Sequence, residues 1–89
     1  MPERCSRKRS LGNPVSTAQV YQEAEYSAQD ARQEAVRGNC EMALQLYERA
    51  LIGFGAARAR GGSEERRQST QYAIQDARTA LRRCLRRRK

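Results

Sequence analysis

The chain has 89 residues, 38% of them hydrophobic, and it contains neither Trp nor His. A chain of this length forms one domain at most, and its small core leaves little room for an enclosed catalytic pocket. Without His, the usual general base near neutral pH is missing. No Cys/His cluster, calcium-loop motif or membrane-spanning apolar run is present. We therefore expect no enzymatic activity, no cofactor and no metal site.

The net charge of +8 is concentrated at the two ends of the chain. Residues 1–15 carry +3 and residues 82–89 carry +6, whereas residues 16–81 carry −1. The first of these segments also contains both prolines, which is typical of a disordered arm. The sequence predicts a disordered basic N-terminal arm over 1–15, a folded body over 16–85 and a basic C-terminal end over 86–89.

Three cysteines, Cys5, Cys40 and Cys84, are widely spaced along the chain. Their number is odd, and no Cys-x-x-Cys pair is present that would indicate a structural zinc site. The sequence predicts three reduced thiols in a cytoplasmic protein.

A first helix is predicted over 16–37. Ser16 is a suitable N-cap, Gln19 completes a capping-box pattern, and Gly38 is a natural C-terminal stop. Small and apolar residues recur at helical spacing and predict the buried face. They are Thr17, Val20, Ala24, Ser27, Ala28, Ala31 and Ala35.

Two further helices are predicted over 39–60 and 63–86, with Asn39 and Ser63 as their N-caps and a Gly-Gly pair between them. Their predicted buried faces are Ala43, Leu46, Tyr47, Ala50, Phe54 and Ala57, then Thr70, Ile74, Ala77, Leu81, Cys84 and Leu85. Three helices joined by tight turns predict an all-α fold, an antiparallel up-down-up three-helix bundle.

Residues 38–54, with the sequence GNCEMALQLYERALIGF, resemble the helix 1–2 turn and second helix of the microtubule-interacting and transport (MIT) domain family. The family pattern has Tyr where this chain has Cys40, an acidic residue at Met42 and an aromatic residue at Gly53. A preceding Ala-rich helix and a charged third helix fit the family layout, so the resemblance covers residues 16–85.

Two alternatives stay open. A tetratricopeptide repeat shares the Gly, Ala, Tyr and Ala-Leu spacing of this segment. Its other signature positions, however, fall on Ser27, Asp30, Ala31 and Glu34, which do not fit, and one repeat alone cannot bury its own core. An unrelated three-helix bundle is the second alternative.

The resemblance implies a monomeric domain of a larger protein that binds tail peptides of ESCRT-III-type proteins in grooves beside helix 3. It thus implies recruitment to endosomal or other membranes. In this chain we assign Leu44, Glu48, Leu51 and Gly55 to one wall of a groove. On helix 3 the candidates are a small flank, Ala73, Ala77 and Ala80, and a polar flank, Gln71, Gln75, Arg78 and Arg82.

The basic ends support a different hypothesis. Arginine-rich segments attract nucleic acid or anionic membranes through weak electrostatic contact. No aromatic residues are interleaved with these arginines to stack on bases. An accessory module that docks through its ends is therefore the alternative function.

Overall fold

The computed structural model describes residues 16–88, with side chains over 16–87. Helix α1 spans Thr17–Arg37, α2 spans Cys40–Arg60 and α3 spans Glu64–Arg88. Each helix packs against the other two, and this confirms the predicted all-α three-helix bundle. All helix boundaries lie within two residues of their predicted positions. The predicted arm over 1–15 lies outside the described residues.

Local side-chain chemistry explains two of the helix starts. The backbone N–H groups of Gln19 and Arg66 donate to the Oγ atoms of Ser16 and Ser63, each at 3.1 Å. Both serines therefore act as the predicted N-caps. The predicted side-chain cap at Asn39 is wrong, because its Nδ2 atom donates to Glu34 Oε1 at 2.7 Å and its oxygen accepts nothing from α2.

The core is built mainly from alanine. Ala28, Ala31 and Ala50 are fully buried together with Ile74 of α3, and small side chains of this kind let helix backbones approach closely. Helices α1 and α2 approach closely at Gly53, where an added Cβ would lie 3.3 Å from the Cβ of Ala24. Such a core buries little apolar area, so a few contacts carry much of its stability.

Three residues depart from the predicted buried faces, and one of them is Cys40, which is buried although it lies outside the predicted face of the second helix. Tyr21 is almost completely buried, although it lies outside the predicted face of the first helix. Leu85 was assigned to the core of α3, but 43% of its surface is exposed. Leu85 lies about 100° around α3 from Cys84, and this rotation places it at the edge of the buried face.

The expectation of three reduced thiols is also wrong. Cys40, the first residue of α2, is disulfide-bonded to Cys84 near the end of α3, and their Cα atoms are 5.8 Å apart. The separation of the two Cα atoms is typical of disulfides. Since 44 positions separate these cysteines in the sequence, only the antiparallel packing of α2 and α3 brings them together.

Candidate functional site

The least closely packed side of the bundle is the surface between α2 and α3, which we call the cleft. Helix α1 packs extensively against both other helices, whereas α2 and α3 contact each other least. Ala43 shares a core cluster with Leu81, and Ala50 shares another with Ile74. These clusters fix the register of α2 against α3 along the cleft.

Two leucines form the α2 rim of this cleft. Leu44 and Leu51 follow Cys40 by 4 and 11 residues, spacings that keep them on the same side of the helix as the bond to α3. They are 39% and 42% exposed. The rim therefore presents two apolar side chains, seven residues apart, that the bundle itself covers only in part.

The α3 rim is polar and basic, with one apolar end. Gln71, Arg78 and Leu85 recur every seven residues and so form one row along the helix, next to the buried Ile74 and Leu81. The opposite flank of α3 lines grooves shared with α1. This row consequently faces the α2 side. Gln75 and Arg82 are exposed on the solvent side of this row, and Gln75 lines a shallow surface groove formed by α3 residues alone.

Aromatic side chains form the floor of the cleft. Tyr47 is half-buried and packs against both core clusters. Phe54 packs edge-on against Tyr21, with ring centroids 6.0 Å apart, and the Arg58 guanidinium lies 5.6 Å from the Phe54 ring centre. The sequence pattern assigned both rings to the core, and half-burial at the α3 side makes them the base of a shallow groove.

The structure places four of the eleven predicted binding residues along the cleft and the other seven elsewhere. The four are Leu44, Leu51, Gln71 and Arg78. Glu48 is exposed on the outer side of the Leu44 and Leu51 row, and Gly55 lines a separate groove at the turn between α2 and α3, together with Arg58 and Arg67. Ala73 and Ala80 are half-buried and line grooves toward α1 rather than the cleft. Ala77 is fully buried, which confirms its predicted place in the core and makes its assignment to a partner-binding surface wrong.

A second groove lies between α1 and α3 and has a volume of about 450 Å³. Arg32 and Val36 from α1 face the end of α3 across it, and the sequence patterns gave no indication of them because they lie off the core face of α1. Its lining residues are Arg32, Val36, Asp76, Thr79, Ala80, Arg83 and Arg87.

Positive charge accumulates toward the C-terminal end of α3. Asp76 is the last acidic residue of the chain. Arg82, Arg83 and Arg86 are exposed beyond it, and Arg87 donates to the Ala35 carbonyl at 3.4 Å. Arginines in the last turns interact favourably with the helix dipole. The end of the bundle near this segment therefore favours acidic ligands.

Within residues 16–88, no group of three or more Cys, His, Asp or Glu side chains is placed to hold a metal ion. None of the helices there is long and apolar enough to cross a membrane.

No protein-family model matches the chain, and neither curated proteins nor solved structures gave a match.

Proposed function

We propose that this chain is a non-catalytic protein-interaction module, similar to MIT domains, that binds short tail segments of ESCRT-III-type proteins. The segment would lie in the α2–α3 cleft, and the module would recruit a parent protein to endosomal or other membranes from the cytoplasmic side. The sequence of residues 38–54 supports the comparison with that family.

The observation that carries the proposal is the composition of the cleft rims. Leu44 and Leu51 offer two partly exposed apolar side chains one heptad apart, Arg78 stands on the opposite rim, and Arg82 lies on the solvent side of that rim. An amphipathic helix docks into such a groove through apolar anchors at i, i+3, i+4 or i+7. Acidic residues beside those anchors would pair with the arginines.

The test is a titration of the full chain with a panel of ESCRT-III tail peptides. Leu51→Ala should weaken binding several-fold, because it removes a central apolar contact. Ile52→Ala is the matched control, since Ile52 is 74% exposed and lies about 100° further around α2, away from the cleft. Dissociation constants weaker than about 1 mM for every tail would contradict the proposal.

A second candidate function is electrostatic docking on nucleic acid or an anionic membrane. The exposed arginines at the end of α3 favour it. Binding to DNA or to phosphatidylserine vesicles should then fall steeply as salt rises. Replacing Arg82, Arg83 and Arg86 with Gln should abolish that binding but leave the core intact. Binding that is insensitive to salt and to these changes would argue against this candidate.

A further inference from the structure

The Cys40–Cys84 bond closes one end of the bundle. Cys40 begins α2, and Cys84 lies in the last two turns of α3, whose remaining residues are mostly arginine. At the opposite end the chain itself joins α2 to α3 through residues 61–63. The disulfide is therefore the covalent link between the two helices at the end where no turn connects them.

The apolar contacts at this end are few. The buried cluster around the bond contains Ala35, Ala43 and Leu81, and the half-buried Tyr47 packs against it, so Leu81 is its one large, fully packed aliphatic side chain within residues 16–87. Like charges four residues apart destabilise a helix. The end of α3 has two such pairs, Arg82 with Arg86 and Arg83 with Arg87. Without the bond, this small apolar cluster and the hydrogen bond from Arg87 to the Ala35 carbonyl would hold the last turns of α3 against electrostatic repulsion.

We propose that Cys40 and Cys84 form a redox-controlled clamp that holds the C-terminal turns of α3 against α2. The bonded state keeps these turns docked, and the dithiol state releases them. Leu85 adjoins Cys84, and Leu44 lies one turn beyond Cys40, so the clamp also sets the shape of that end of the cleft. This last consequence rests on the function proposed above for the cleft.

The reaction is thiol–disulfide exchange with glutathione. A glutathione thiolate attacks one sulfur of the bond and forms a mixed disulfide, and the other cysteine leaves with the electron pair and takes up a proton. A second glutathione thiolate attacks the glutathione sulfur of the mixed disulfide and releases the first cysteine, so two glutathiones are oxidised to one glutathione disulfide. Cys40 and Cys84 are 3% and 1% exposed. Attack therefore requires transient opening of the last turns of α3.

The test measures amide hydrogen exchange of the full chain, with Cys5→Ser to prevent other pairings, in oxidised and reduced glutathione buffers. On reduction, exchange over residues 82–87 should accelerate at least tenfold. Amide exchange over residues 64–70 should accelerate less, because the turn at 61–63 still joins these residues to α2. Equal exchange rates at 82–87 in both states, or free thiols in excess glutathione disulfide, would overturn the clamp.

A second variant distinguishes the effect of losing the disulfide from the effect of unfolding the whole domain. Cys40→Ala with Cys84→Ala removes the bond without burying a hydroxyl, and it should show fast exchange at 82–87 in both buffers while remaining helical by circular dichroism. Slow exchange in this variant would refute the clamp.

Titration of the oxidised and the reduced forms with tail peptides then tests separately whether the bond controls binding in the cleft. Tighter binding to the oxidised form by about fivefold or more supports control of the cleft, and equal binding rejects it. If neither form binds any tail, the proposed function fails while the exchange experiment still decides the clamp.

Discussion

The phenolic hydroxyl of Tyr21 donates a hydrogen bond of 3.1 Å to the carbonyl of Gly61, forty residues further along the chain. This bond ties the second turn of α1 to the turn between α2 and α3. The same ring lies against Gly62, whose φ is +99°, and against Phe54 of α2. One side chain thus organises the end of the bundle opposite the disulfide.

Gly62→Ala should destabilise the protein by roughly 2–4 kcal/mol. An added Cβ would lie 2.8 Å from Tyr21 Cε2 and 2.9 Å from Thr17 Cγ2, and a positive φ is unfavourable for alanine. Urea denaturation followed by circular dichroism measures the loss.

Gly61→Ala is the matched control for this change. Its φ is +98°, but an added Cβ there meets nothing within 4 Å. It should therefore cost only the backbone strain, about 1–2 kcal/mol. If both variants lose the same stability, the contact between Gly62 and the Tyr21 ring is not what requires glycine at this position.

Two glycines inside α2 should respond differently to alanine. Gly55→Ala should stabilise the protein by about 0.5–1 kcal/mol, because a Cβ meets nothing there and alanine favours the helix. Gly53→Ala brings a Cβ to 3.3 Å from the Cβ of Ala24, so much of that gain should be lost. Thermal melts of both variants test the difference, and equal gains would mean that α1 and α2 separate easily.

Reduction of the Cys40–Cys84 bond should lower the free energy of unfolding by about 4 kcal/mol, the chain-entropy value for a loop closed by residues 44 positions apart. This is a large share of the stability of a domain this small. Paired urea titrations with and without reductant measure the loss, and Cys40→Ala with Cys84→Ala should be indifferent to reductant. A change below about 1 kcal/mol would show that the native contacts alone position α3.

Charge reversal on the α3 rim should weaken binding of acidic tail peptides. Arg78→Glu places a carboxylate beside the cleft, and we expect affinity to fall about tenfold at low salt and less at high salt. Arg49→Glu makes the same charge change on the outer face of α2. Equal losses in the two variants would indicate attraction by overall charge rather than binding in the cleft.

The helices and most of their ends followed from local sequence. Ser16, Gly38 and Ser63 predicted helix ends because caps and stops act within a few residues. The Ala43, Ala50 and Ala57 row predicted a buried face because the helical period is fixed. The same periodicity places Leu44 and Leu51 next to that buried face. The run of basic residues at 82–89 predicted an arginine-rich end.

Only the tertiary structure decided which flank of each helix meets which neighbour. Periodicity defines a buried face on one helix, but the rotation and register of that helix depend on packing against residues forty or more positions away. This is why the sequence did not predict Tyr21 as a core residue and did not pair Cys40 with Cys84. The small side chains of α1 let both other helices pack closely against it, whereas α2 and α3 contact each other less along the cleft.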